Sequence, residues 1–385
     1  MADYNSTPRE PRDPRDAAAA GSAADAGSAH AVSAGSHSAA GTATPVRTDD
    51  NHAQTPVPSS HAKGTADGPQ RRGVKRPGDR VFEFLSTASA ALITIFIAAI
   101  GLFLILRAVP ALNNNADGLL GFFTYSGPWD TANVKAMHFG IPNLLAATVT
   151  MSLLALIIAM PIALGIAIFL SNYAPKGLVK PMGYLVDMLA AVPSIVYGLW
   201  GWLVLGPFLA KFYDWLHGWA GNFFLFETYS NSPSFATGRN MFTGGVVLAV
   251  MILPIIAATA REVFVQTPKG HIESALALGA TRWEVVRMTV LPFGLSGYIS
   301  GAMLGLGRAL GETMALYMVV SPSTEFRFSL FDGGTTFATA IANAAPEFNN
   351  PTKAGAYIAA GLVLFILTFV VNSLARAAVA GKGRS

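Results

Sequence analysis

The sequence predicts an all-α polytopic membrane protein with six transmembrane helices, preceded by a disordered N-terminal tail. Three observations carry this. Hydrophobic residues make up 52% of the chain and charged residues 12%, about half the charged share of a soluble domain. Mean hydropathy is +0.44 although the first 70 residues are small and polar, so the remainder is too apolar for a water-facing surface. Six apolar stretches, about 88–106, 141–170, 181–210, 242–260, 291–320 and 354–374, can each cross ~30 Å of hydrocarbon. None alternates polar and apolar residues as a barrel strand would. Helices follow, because they satisfy their own backbone in lipid.

Residues 1–70 hold 44 Ala, Gly, Ser, Thr or Pro and five large apolar residues (Met1, Tyr4, Val32, Val46, Val57). So little apolar surface does not offset the entropy of ordering, and disorder is expected. The segment has no apolar core of a signal peptide. Its four histidines (His30, His37, His52, His61) are irregularly spaced, as in solvated low-complexity sequence rather than a metal site. Residues 71–80 then set Arg71, Arg72, Lys75, Arg76 and Arg80 against the single acid Asp79, a juxtamembrane topology signal. The six-helix domain is expected over 81–380.

Pro161, Pro193 and Pro254 lie inside spans, where neighbouring helices can satisfy the freed carbonyls. With the N-terminus inside, inner segments carry fourteen Lys or Arg and outer segments six, which predicts both termini in the cytoplasm. The net charge of +4 then reflects basic inner loops, and nucleic acid is not an expected partner. The outer loops, about 107–140 and 211–241, hold Trp129, Trp215, Trp219, Phe223 and Phe224, which read as interfacial anchors.

Enzymatic chemistry finds no support. There is no cysteine for thiolate or disulfide chemistry. No G-x-x-x-x-G-K-[ST], H-E-x-x-H or G-x-S-x-G occurs. Gly305-Leu-Gly307-Arg-Ala-Leu-Gly311 has one residue too many for a dinucleotide fingerprint and lies in a span. His138, His217 and His271 are scattered over three loops. No catalytic residue, metal ligand or bound cofactor is expected.

Two segments carry function. The inner loop at about 261–291 is long, amphipathic and charged. Ser274–Leu278 favours helix, Gly279 can end it with a left-handed residue, and Thr281 can cap the next helix with Glu284 at its third position. A helix–turn–helix on the inner membrane face is the expectation, the alternative being a surface-parallel helix without a partner. The second segment is the fifth span, which carries Arg308 and Glu312; Asp187 is the one other acid deep in a span. Charge in a bilayer costs about 2.5 kcal/mol upward. At ~100° per residue, Gly301, Gly305, Arg308 and Glu312 all fall within about 80° of Gly297. The glycines admit a neighbouring backbone, and the two charges stand at the spacing that allows pairing. Either a buried pair fixes helix register, or the planar Arg fork lines an anion pathway.

The loop resembles the EAA loop of ABC importer permeases, E-A-A-x3-G-x9-I-x-L-P. Glu273, Ala275, Gly279, Leu291 and Pro292 match in register, with Ser274 and Thr289 as departures. Gly305-Leu-Gly-Arg308-Ala-Leu-Gly311-Glu312-Thr313-Met314 and Ala191-Val-Pro193-Ser194-Ile-Val-Tyr197-Gly198-Leu-Trp200-Gly201 are similar to signatures of phosphate ABC importer permeases of the PstC type. The likeness covers about 80–380 and implies the MetI-like permease fold. It implies that the EAA-like loop docks into a cytoplasmic ATPase, that Arg308, Glu312 and Thr313 line the substrate pathway, and that Gly297, Gly301, Gly305, Pro193, Ser194 and Tyr197 pack around it. It implies as partners a homologous PstA-like permease, a PstB-like ATPase dimer that uses ATP and Mg, and an extracytoplasmic PstS-like binding protein, in a prokaryotic cytoplasmic membrane. A PstA-type subunit, an importer of another oxyanion, a gated anion channel and a membrane scaffold are the alternatives. A channel needs no ATPase-docking loop.

Overall fold

The computed structural model describes residues 77–382 except 222, 228–232 and 324–327. The expected tail and Arg71, Arg72, Lys75 and Arg76 lie outside the described residues. The order is α1 (Pro77–Asn113), α2 (Gly118–Thr124), α3 (Pro142–Ile168), α4 (Lys176–Ala190), α5 (Ser194–Trp200), α6 (Gly206–Ala220), α7 (Pro233–Ala236) and α8 (Met241–Val265). Then follow α9 (Lys269–Ala277), α10 (Arg282–Val285), α11 (Leu291–Leu310), α12 (Met314–Val319), α13 (Phe337–Ala344) and α14 (Pro351–Lys382). Among the described residues no strand forms, only the isolated bridges Asn115–Met137 and Asp130–His138. Among the described residues six helices are long and apolar enough to cross a membrane: Pro77–Asn113, Pro142–Tyr173, Ser194–Ala220, Met241–Val265, Arg282–Leu310 and Pro351–Ala377.

All-α architecture and span number agree with the sequence, but two spans are displaced. The stretch at 181–210 is not one helix. Pro193 lacks an amide hydrogen and disfavours helix in Val192, so α4 ends at Ala190 and a new helix starts at Ser194. The third span is therefore Ser194–Ala220. Asp187 sits exposed on the connector α4, not deep in a span. The fifth span begins earlier and ends sooner than expected. It runs through a π turn at Val286–Val290 and stops at Leu310, after which Gly311 breaks the helix before the short α12.

The core is built on small residues. Along α3, Ala147, Met151, Ala155, Ala159, Ala163 and Ala167 recur every fourth residue and are at most 1% exposed. Such a ridge packs two helices closely without a large side chain between them. Its partner is α8, where a Cβ on Gly245 would meet Leu154 of α3. A Cβ on Gly244 would come within 2.7 Å of Val320 Cγ2 and 3.1 Å of Met151 Sδ. Gly244→Val is expected to overpack this seam and lower stability by about 1–3 kcal/mol. An unchanged midpoint in thermal unfolding of the detergent-solubilised protein would refute the seam. A second apolar cluster joins α1, α2, the loop before α3, the start of α3, α13 and α14 through Ala111, Phe122, Phe139, Leu144, Phe337 and Ala359.

A buried polar knot fixes the start of α8. Asn240 caps the helix by accepting from the Thr243 amide at 2.9 Å. The Thr243 hydroxyl donates to the Gly238 carbonyl at 2.6 Å and lies 2.7 Å from the hydroxyl of Tyr213 on α6. Gly238 has φ +67°, and its Cα hydrogens lie where a Cβ would collide with Gly206.

Candidate functional site

The loop between α8 and α11 folds as its sequence implies. Gly279 adopts φ +86°, the left-handed region open to glycine. Its amide donates to the Leu276 carbonyl at 2.9 Å, and the Ala280 amide donates to the Ala275 carbonyl at 3.2 Å. These two bonds close α9 as a Schellman motif. Thr281 opens α10 with a reciprocal capping box: its amide donates to Glu284 Oε2 at 2.7 Å, and the Glu284 amide donates back to Thr281 Oγ1 at 3.3 Å. The corner is shorter than 261–291. Arg261 still belongs to α8, where its guanidinium covers Gly183 of α4, and residues 282–290 run on into α11. Glu273 and Ala275 lie on α9, Leu291 and Pro292 at the start of α11. No α9 residue is buried. Leu278 is 89% exposed and Trp283 56%, an apolar display far larger than a solvated corner calls for.

The fifth-span stripe divides in two. Cβ atoms on Gly297, Gly301 and Gly305 would meet Val263, Thr259 and Ile256 of α8. The ladder is thus the seam that holds α11 against α8. Arg308 stands on the flank of that seam, exposed beside Leu304. The expected Arg308–Glu312 pair does not form. Gly311 ends α11, so the four-residue spacing no longer places the two side chains one above the other. Glu312 is 8% exposed, and its Oε1 accepts from the Ala315 amide at 3.2 Å, capping α12. Thr313 is half-buried and its hydroxyl donates to the Gly311 carbonyl at 3.3 Å.

The two signature segments meet here. A Cβ on Gly198 of α5 would fall 2.9 Å from Ala315 Cα of α12, and one on Gly201 would fall 2.7 Å from Val319. Gly198 therefore admits the backbone of α12, and Gly201 makes room for the Val319 side chain. Tyr197 is 8% exposed and donates to the Leu189 carbonyl at 2.7 Å, bridging the break between α4 and α5. Arg308 is close enough to act electrostatically on this phenol. Pro193 is exposed at the break and Ser194 is half-buried. The site is thus two interrupted helices crossing side by side, with one unpaired guanidinium beside them. The histidines His138 and His217 are engaged elsewhere, with Asp117 at 2.9 Å and the Phe226 carbonyl at 3.1 Å.

Residues 159–382 match the family model described as binding-protein-dependent transport system inner membrane component. Over 308 residues the chain is 51% identical to phosphate transport system permease protein PstC 2 of Mycobacterium tuberculosis, covering 80% of this chain and 93% of that protein. It is 42% identical over 283 residues to phosphate transport system permease protein PstC of Pasteurella multocida, covering 72% and 87%. Among solved structures, a chain of a bacterial alginate ABC transporter shares the fold at TM-score 0.51 and 15% identity, over 77% of this chain and 94% of that one.

Proposed function

We infer the chain's work from its family: it belongs to the inner membrane components of binding-protein-dependent transport systems, to their PstC branch, and is a permease subunit of an ATP-driven phosphate importer. It is a transport component, not a catalyst, and a multi-pass membrane protein. In the assembly we propose, this chain pairs with a PstA-like permease. Two PstB-like ATPases bind the α9–α10 corner and use ATP and Mg, while a PstS-like binding protein delivers phosphate from outside. Both termini face the cytoplasm of a prokaryotic cell.

The observation that carries the coupling role is the rigid, apolar-tipped corner at Leu278 and Trp283. A helix–turn–helix closed by a Schellman bond pair and a capping box is stiff enough to pass on a push. Closure of the ATPases moves the corner, and α11, continuous with α10, carries that motion to Arg308. Arg308 itself cannot rest in lipid without a cost of about 2.5–3.5 kcal/mol. Its exposure on the single chain therefore marks a face that the second permease and a wetted pathway complete. There it meets phosphate with a planar set of donors.

Co-expression of the four components tests the reading. The chain should co-purify with the ATPase, and vesicles holding the complex should accumulate [32P]phosphate only with internal ATP and external binding protein. Phosphate flux down its gradient without ATP would make the chain a channel and overturn the proposal.

A further inference from the structure

A second arginine stands apart from this site. Arg239 lies between Gly238 and Asn240, just before α8, and so at the opposite end of that ~37 Å helix from the coupling corner. Its backbone is held on three sides: by the left-handed Gly238, by the Asn240 cap, and by its own carbonyl, which accepts from the Ser321 amide at 2.9 Å. None of these restraints needs an arginine side chain. The guanidinium carbon sits 5.6 Å from the centroid of Trp202. Its Nε is buried without a hydrogen-bond partner among the described residues.

An unpartnered buried donor costs about 1–3 kcal/mol and calls for a ligand. A cavity of ≈170 Å³ opens beside it, more than ten times the ~10–15 Å³ that admits a water. Arg239, Tyr317, Thr335, Thr336, Thr339 and Asn343 line it, and its described lining includes no carboxylate. The threonine hydroxyls are largely engaged with Ser323 and with each other. Asn343 Oδ1 accepts from the Tyr317 hydroxyl at 3.4 Å, which leaves its amide hydrogens free to donate. A wider cavity of ≈390 Å³ adjoins through Pro322, Thr335 and Asn343. The end of α12 opposite Glu312 supplies Leu316, Tyr317 and Val320 to the smaller cavity. Six residues of helix, about 9 Å, thus connect it to the neighbourhood of Arg308.

We propose that Arg239 and this cavity form a receiving site for a tetrahedral oxyanion, here inorganic phosphate, upstream of Arg308. The inference rests on the phosphate-importer reading and adds a first station to it, on the side away from the ATPases where an importer takes up its cargo. Arg239 supplies the charge and the planar donors. Asn343 donates an amide, and the described lining of the cavity sets no carboxylate against the anion. Trp202 packs beside the guanidinium without neutralising it.

The test uses the complete complex in vesicles, titrated with phosphate-loaded binding protein, together with separate docking of phosphate-free binding protein. Arg239→Gln should raise the half-saturating concentration for [32P]phosphate import about tenfold, the scale of one charge-assisted hydrogen bond, with docking of the phosphate-free protein within about twofold of wild type. Arg239→Lys should fall between. Asn343→Asp sets a carboxylate at an exposed position and threatens no packing; it should impair import comparably by repelling the anion. If Arg239 were only structural, a carboxylate on the cavity wall at position 343 would leave import normal. Wild-type half-saturation in either Arg239→Gln or Asn343→Asp overturns the proposal, as does an equal loss of docking, which would assign the patch to protein contact. A wild-type complex that imports no phosphate would instead defeat the importer reading.

Discussion

Arg308→Gln is expected to abolish phosphate uptake while the complex still assembles in the membrane. The side chain is exposed on the single chain and forms no ion pair with the described residues, so its removal leaves no buried partner among them and the fold survives. What is lost is binding. Two hydrogen bonds between the guanidinium fork and phosphate, at about 1.5–3 kcal/mol each for charged groups, correspond to a fall of about a hundredfold or more in transport. Arg308→Lys should recover part of it, because the charge returns without the fork. Glu312→Gln separates the two positions. Its amide oxygen can still accept from the Ala315 amide, so α12 stays capped, while the negative charge disappears. Assembly and phosphate affinity should then hold or improve, with slower turnover. Uptake and binding-protein-stimulated ATPase activity of the three variants, with complex recovery by size-exclusion chromatography, decide the matter. Normal transport by Arg308→Gln would reduce that face to a packing surface and move the pathway towards Pro193–Gly201.

Much of this was legible because membrane helices are written in long apolar runs, and because caps are local. Gly279, Thr281 and Glu284 specify their corner within six residues of chain, and the structure closes it with those groups. The helical breaks were less legible. Pro193 and Gly311 are tolerated inside many membrane spans. Whether a helix kinks or stops there depends on what packs across it, here α5 on α12. The Arg308–Glu312 pairing failed for that reason, since a four-residue spacing brings side chains together only along an unbroken helix. The glycine ladder was legible as a packing seam but not its neighbour: it lies against α8 and borders the charged face. Arg239 gave no signal beyond its charge. The Asn240-x-x-Thr243 cap that locks its backbone was readable as a helix start. The cavity, however, is assembled from residues about a hundred positions apart, and no local pattern announces such a site.

The coupling corner should fail without the fold failing. Gly279→Val keeps every described contact, because a Cβ at that position meets nothing within 4 Å. The penalty is purely that of the backbone: a left-handed residue other than glycine costs roughly 1–2 kcal/mol, and β-branching makes it worse. Since α9 fully buries none of its residues and reaches the core only through the half-buried Ile272, the bundle depends little on whether the turn forms, and insertion and thermal stability should stay close to wild type. The corner bears the whole loss. A penalty of this size lowers the population of the closed turn about 5–30-fold, and Leu278 and Trp283 leave the arrangement that meets the ATPase. Uptake and ATPase recovery on the purified permease should fall in that proportion. Gly279→Asn, which tolerates the left-handed region, should stay within about threefold of wild type and shows that conformation rather than side-chain absence matters. Hydrogen exchange at the Gly279 and Ala280 amides reports the turn directly, with faster exchange in the valine variant alone. Full uptake by Gly279→Val would mean that the ATPase grips the permease elsewhere, because no other described segment joins an exposed apolar tip to a helix that runs unbroken to Arg308.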